Sequence, residues 1–211
     1  MTKQEHLKFI FDTFHHDIDS AFERLKVKYS LLFMLKNNNQ RISVSVTDPL
    51  VTKVVLQINY SAGEIGKNYT QMETECRRIY ISDLYSICSN FCISASNVLN
   101  GSEVNGRYDA AFINKQYSEP LNLLNKFLSS DNKEFLKFFH KVRNSMIHYD
   151  GQYNRNNLLD YRILSLVFKT TDENLGEQII WGVEEKIELY KIIKNVFQYE
   201  KFAKNPLFHR S

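Results

Sequence analysis

The chain reads as a mainly α-helical protein, a bundle of about five helices with one or two small β-hairpins attached. Three observations predict this. Breakers are scarce, with three Pro and seven Gly in 211 residues, which favours long helices. Apolar residues recur at helical spacing over several long stretches. In two places the period switches to alternation, as strands require. No Pro/Gly/Ser-rich linker divides the sequence, so residues 1–211 are expected to form a single domain around one sizeable core. Fifteen Phe and 12 Tyr make that core bulky.

The first helix is expected over residues 4–35, where Leu7, Ile10, Phe11, Phe14, Ile18, Phe22, Leu25 and Tyr29 form one stripe. A polar turn at residues 36–40 ends it. Ile42, Val44 and Val46 then alternate with polar residues, as do Val54, Leu56, Ile58 and Tyr60 beyond Asp48-Pro49, which predicts a hairpin. A second long helix is expected over residues 67–100, with Met72, Cys76, Ile79, Tyr80, Leu84, Ile87, Phe91 and Val98 inward. Its middle, rich in Ser, Cys and Ala, suits close helix–helix approach. After a polar loop at residues 103–109, a third helix is expected to reach about Leu128, with Pro120 starting or kinking its second half. Ser129, Ser130 and Asp131 offer capping groups for a fourth helix from about Asn132, and Glu134 stands close to a capping-box position. A second hairpin is expected between residues 164–168 and 178–181, and a final helix over residues 183–202.

Composition excludes several classes. A net charge of +3 is too mild to announce nucleic-acid binding without a local basic patch. Nothing at the N-terminus reads as a signal peptide, and no apolar run approaches a membrane span, so a cytoplasmic protein with no membrane association is expected. Three cysteines read as free thiols, with Cys88 and Cys92 on one helix face. His16, Asp12 and Asp19 could be drawn as metal ligands, but a solvated helix face accounts for them, and no metal or other cofactor is expected. There is no phosphate loop. Trp181 suits packing better than base stacking, and His209 and Arg210 lie near the terminus.

Residues 138–151 gather most of the groups able to do chemistry, at the end of an amphipathic helix closed by Gly151. At ~100° per residue, Phe135, Phe138, Phe139, Val142 and Met146 fall on one face. Lys137, Lys141, Asn144 and His148 fall on the opposite one, and Arg143 stands on the border, ~140° from His148. Asn144 and His148 can therefore address one ligand, whereas Arg143 and His148 cannot do so from a single straight helix. A frayed helix end, a cleft wrapping the border, or a second copy of the helix in a homodimer would bring them together. The residue types suit phosphate chemistry. Arg offers a planar fork of donors to a phosphate. His changes charge near neutral pH and serves as an acid–base group. Asn can orient an imidazole or a phosphate oxygen. Lys133, Lys137 and Lys141 make a positive stripe that could hold a polyanion, or a merely solvated face. His140, four residues before Asn144, is a supporting candidate that extends the polar face.

The run Arg143-Asn144-Ser145-Met146-Ile147-His148 resembles the R-x4-6-H motif, with a polar residue after the Arg, of the HEPN superfamily of small helical domains. The resemblance implies a homodimeric, metal-independent endoribonuclease that cleaves RNA by attack of the ribose 2′-hydroxyl on the adjacent phosphorus. It assigns phosphate binding to Arg143, acid–base work to His148 and the polar position to Asn144. It also implies a possible antitoxin partner and a role as a toxin or an anti-phage effector. A subgroup paired with nucleotidyltransferase antitoxins carries Tyr two residues after the His. Here Asp150 holds that place and Tyr149 comes one residue early, which leaves both as supporting candidates only. Other members have lost activity, so a non-catalytic helical module for dimerisation or partner binding is the alternative.

Overall fold

The computed structural model describes residues 1–37, 42–48, 53–60, 62–104, 107–109 and 119–205. The protein is mainly helical. Helix α1 (Lys3–Asn37) leads to strands β1 (Ile42–Asp48) and β2 (Lys53–Tyr60), then to helix α2 (Ala62–Asn100). Short strands β3 (Ser102–Val104) and β4 (Arg107–Asp109) follow. A 3-10 helix (Pro120–Phe127) precedes α3 (Ser130–His148), strands β5 (Asp160–Ile163) and β6 (Leu166–Lys169), and helices α4 (Val183–Val196) and α5 (Tyr199–Ala203). Among the described residues no helix is long and apolar enough to cross a membrane.

Among the described residues the strands pair as three separate antiparallel hairpins. β1 and β2 pair Ile42 with Tyr60 and Val44 with Ile58, as the alternation predicts, and a bulge falls between Val46 and Thr47. The β3–β4 hairpin lies where a polar loop was expected, because three-residue strands are too short to show a period. The second expected hairpin is differently paired. β5 joins β6 across Leu164 and Ser165, with Tyr161 opposite Phe168 and Ile163 opposite Leu166. Leu164 takes a left-handed backbone at φ 54° without being a glycine, so the turn carries no sequence signal. Residues 177–179 instead pair with the chain leaving α3.

The chain divides into two compact units, Met1–Phe22 with Ile81–Ser211, and Glu23–Tyr80. In the smaller unit Leu25, Leu32 and Tyr80 are buried, as is most of Arg77. Burial, with Glu73 adding to it, pushes the half-buried Tyr29 phenol up to about 12.

The larger unit has a phenylalanine core. Phe11 and Phe14 of α1 meet Phe91 of α2 at 4.8 and 4.5 Å between ring centroids. Phe197 and Phe202 close the cluster, at 5.4 Å from Phe14 and 5.1 Å from Phe11. The expected final helix is broken at Phe197 and Gln198, and this break lets both Phe197 and Phe202 enter the cluster. On α2 the buried line runs through Ile81, Leu84, Tyr85, Cys88, Phe91, Cys92, Ala95 and Leu99. Met72 and Ile79, expected inward, are exposed. The two central thiols are fully buried, and that burial pushes both well above the usual thiol range. Asp19 of α1 accepts hydrogen bonds from the Tyr190 hydroxyl (2.6 Å) and Lys194 Nζ (2.7 Å), which ties α1 to α4.

The expected third helix is a 3-10 segment with Pro120 at its start, and it buries Leu121 and Leu124. Residues 110–118, where the first part of that helix was expected, lie outside the described residues, as do the turns at residues 38–41 and 49–52 and His209 and Arg210.

Candidate active site

Helix α3 carries the candidate residues, and its packing fixes where each one points. It starts two residues earlier than expected. Ser129 is its N-cap, and its hydroxyl accepts from the Asn132 N–H at 3.3 Å. Phe135, Phe138, Phe139, Val142 and Met146 are all buried, as helical geometry requires. Phe138 stacks on Tyr161 of β5 at 4.6 Å and meets Phe168 of β6 at 5.3 Å. Trp181 lies 4.5 Å from Phe168 and is only 1% exposed, so it is core and offers no base-stacking platform.

At the other end α3 runs unbroken through His148. The N–H groups of Tyr149 and Gly151 both donate to the Ser145 carbonyl, at 3.1 and 2.8 Å, and satisfy it. Asp150 and Gly151 take left-handed backbones at φ 54° and 77°. The Gly151 carbonyl then accepts from Ile179 N–H at 2.8 Å, and Tyr153 N–H donates to the Glu177 carbonyl at 3.0 Å. The helix end is thus clamped to residues 177–179, and α3 is regular through Ile147-His148. Arg143 and His148 keep the ~140° separation of a regular helix.

Side chains on the polar face divide into two groups. His148 and Lys137 are exposed at the surface, and Tyr149 is half-buried beside His148, their ring centroids 6.4 Å apart. Arg143, Asn144 and His140 are half-buried and joined to one another. Arg143 Nη1 donates to Asn144 Oδ1 at 3.0 Å, and Asn144 Nδ2 lies 3.0 Å from His140 Nε2. His140 Nδ1 lies 2.6 Å from the hydroxyl of Tyr85, which comes from α2. The Arg143 guanidinium carbon sits 5.2 Å from the centroid of the same tyrosine ring, within cation–π range. Four side chains therefore close a loop that starts and ends on Tyr85.

Burial of the imidazole holds His140 below its usual 6.5, with Glu119 opposing that effect and Arg143 adding to it. His140 is therefore neutral at neutral pH. Burial likewise raises the Tyr85 phenol, against the pull of Arg143. Beside this loop lies a cleft of about 250 Å³, lined by Glu119, Leu121, Asn122, Leu136, Lys137, His140 and Lys141.

Of the lysine stripe, Lys133 is half-buried and Lys141 is committed, its Nζ donating to the Leu158 carbonyl at 2.8 Å. Asn157 seals the other side of α3. Its Nδ2 donates to the Lys141 carbonyl at 2.6 Å and to the fully buried Ser145 hydroxyl at 2.7 Å. Neither Tyr85 nor Asn157 could be found from sequence. Tyr85 lies 55 residues from His140 and sits among apolar helix residues, and Asn157 stands in a loop of similar polar residues.

The arrangement thus presents a half-buried guanidinium held on an aromatic ring and, five residues further along α3, an exposed imidazole. Comparison with protein-family models, with curated proteins and with solved structures finds no match to this chain.

Proposed function

We propose that this chain is a metal-independent endoribonuclease of HEPN type, working as a homodimer and serving as a toxin or an anti-phage effector, with an antitoxin protein as its natural partner. The observation that carries the reading is the pairing on α3 of a half-buried, oriented Arg143 with a solvent-exposed His148. An acid–base residue has to reach substrate, and a phosphate-binding Arg has to be held in place without its charge being neutralised. Asn144 is a neutral partner, so Arg143 keeps its full charge while one donor is fixed.

In the proposed reaction Arg143 binds a non-bridging phosphate oxygen. The neutral His148 imidazole removes the proton of the ribose 2′-hydroxyl, and that oxygen attacks the adjacent phosphorus. The bond from phosphorus to the 5′-oxygen breaks, and a protonated imidazole donates to that leaving oxygen. The products are a 2′,3′-cyclic phosphate and a 5′-hydroxyl. Because Arg143 and His148 stand ~140° apart on one helix, the proposed site takes them from two copies of α3 across a dimer. Lys137 adds positive charge on the same face.

The test is incubation of the purified protein with RNA in EDTA, with His148→Ala and Arg143→Ala alongside. Cleavage to cyclic-phosphate ends, lost in both variants, supports the reading. One observation favours the second reading, a non-catalytic dimerisation or partner-binding module. The loop of Tyr85, His140, Asn144 and Arg143 is joined up within one chain, as a structural network is. On that reading Arg143→Ala leaves RNA untouched and lowers stability instead.

A further inference from the structure

The loop on Tyr85 has a direction that follows from which groups can donate. Arg143 has only donors, so the Asn144 amide must turn its oxygen toward Nη1. Its NH2 group then faces His140 Nε2, 3.0 Å away, and that nitrogen must offer a lone pair. A neutral imidazole with a bare Nε2 carries its proton on Nδ1. The Nδ1–H points at the Tyr85 oxygen, 2.6 Å away. The Tyr85 oxygen therefore accepts, while the face of the same ring supports the guanidinium.

We infer that Tyr85 and His140 are positioning residues that act through Asn144 to hold the Arg143 guanidinium in the one orientation that engages a phosphodiester. This inference rests on Arg143 being the phosphate-binding group proposed above. Arg143 spends one donor on Asn144, and its remaining donors have no partner among the described residues. An arginine free to rotate would meet a phosphate in many poses. One fixed by a hydrogen bond and by an aromatic face meets it in few, so less freedom is lost on binding. The amide of Asn144 can be satisfied only one way round. Reversing it sets NH2 against the guanidinium and oxygen against a lone pair. The Nδ1–H tautomer of His140 is therefore what the arrangement requires, and the Tyr85 oxygen gives that N–H its acceptor.

The charged and titratable groups around His140 are few. Arg143, Lys137 and Lys141 share its helix, Tyr85 faces it from α2, and Glu119 comes from the start of the 3-10 segment. None of these supplies an acceptor to Nδ1 in place of the tyrosine oxygen among the hydrogen bonds the structure contains. Tyr85→Phe is therefore a clean variant. It keeps the ring beneath Arg143 and removes the oxygen that accepts from His140 Nδ1–H, which Ser89 of α2 also neighbours.

The experiment has two readouts on the full-length chain. The first is the 15N chemical shifts of the His140 ring, which report the tautomer directly. The second is binding of a fluorescein-labelled single-stranded oligouridine RNA, with His148→Ala as the parent so that the probe stays intact. The expected result is an Nδ1–H tautomer in the parent. Tyr85→Phe in that background should give a mixed tautomer and bind the RNA roughly threefold to tenfold more weakly, the worth of one hydrogen bond. An Nε2–H tautomer in the parent overturns the inference by itself, whether or not any variant folds. Unchanged RNA binding in Tyr85→Phe, with binding weakened in Arg143→Ala, overturns the positioning role and leaves the phosphate-binding reading intact. Unchanged binding in Arg143→Ala removes both.

Discussion

Asn157 shows how one residue can hold a loop against the helix that bears the site. Its single Nδ2 group reaches both a backbone carbonyl and a buried hydroxyl, at 2.6 and 2.7 Å. Asn157→Ala leaves the Ser145 hydroxyl buried without that partner, and is expected to lower stability by about 1–3 kcal/mol in chemical denaturation. The pH response belongs to the same scale. Burial, with Arg143 adding to it, lowers the folded-state pKa of His140 from 6.5. The unfolded chain then binds the proton more readily than the folded one, so stability rises with pH across that window. The contribution of His140 is present in full above 6.5 and is lost as pH falls through the lower folded value. A melting temperature that declines between pH 7 and pH 5 in wild type, and declines less in His140→Gln, is the expected outcome. Asp19 works in the same sense at lower pH. Burial raises its pKa, but the hydrogen bonds from Lys194 and Tyr190 outweigh that and hold it below 3.8. Its contribution is lost only in more acid solution.

At the scale of the element, α3 is both scaffold and bearer of the candidate site. One face packs phenylalanines against β5 and β6 while the other displays polar groups. Its end depends on Gly151, which sits at φ 77°, where an added Cβ would lie 3.2 Å from Gln178 Oε1 and 3.3 Å from Met146 Sδ. Gly151→Ala is expected to cost about 1–2 kcal/mol, from the left-handed backbone alone, read as a lowered melting temperature. This helix was the most legible part of the chain in sequence. The five apolar positions assigned to its buried face are all buried, because 3.6-residue periodicity is a direct consequence of helix geometry. The stop at Gly151 was legible for the same kind of reason, since few residues other than glycine take that conformation readily. The hairpin over β5 and β6 was not. Its turn uses Leu164 at positive φ, and no Gly marks that turn, so residues 164–168 mimic one continuous alternation although the true partners, such as Tyr161 and Phe168, lie close in sequence. The break between α4 and α5 was hidden likewise. No Gly or Pro stands at Phe197-Gln198, and the break answers to packing in the phenylalanine cluster.

For the whole molecule, the fold class followed from composition and periodicity, but the internal wiring of the candidate site did not. Arg143, Asn144 and His148 are visible as a motif, and their relative angles follow from the helix. That Asn144 would turn toward His140, and that both would be organised by Tyr85, depends on how α2 packs against α3. Such a contact between side chains 55 residues apart has no signature in either segment. The same geometry leaves Arg143 and His148 apart on one α3, which makes self-association part of the proposed activity. The protein is expected to elute as a dimer in size-exclusion chromatography with light scattering, and dilution below its dissociation constant should reduce cleavage per chain. The most direct measurement is RNA cleavage by the purified protein in EDTA, with the new ends identified chemically. The account predicts 2′,3′-cyclic phosphate ends from wild type and none from Arg143→Ala or His148→Ala. Intact RNA with the wild-type dimer, or cleavage unchanged in His148→Ala, would contradict it.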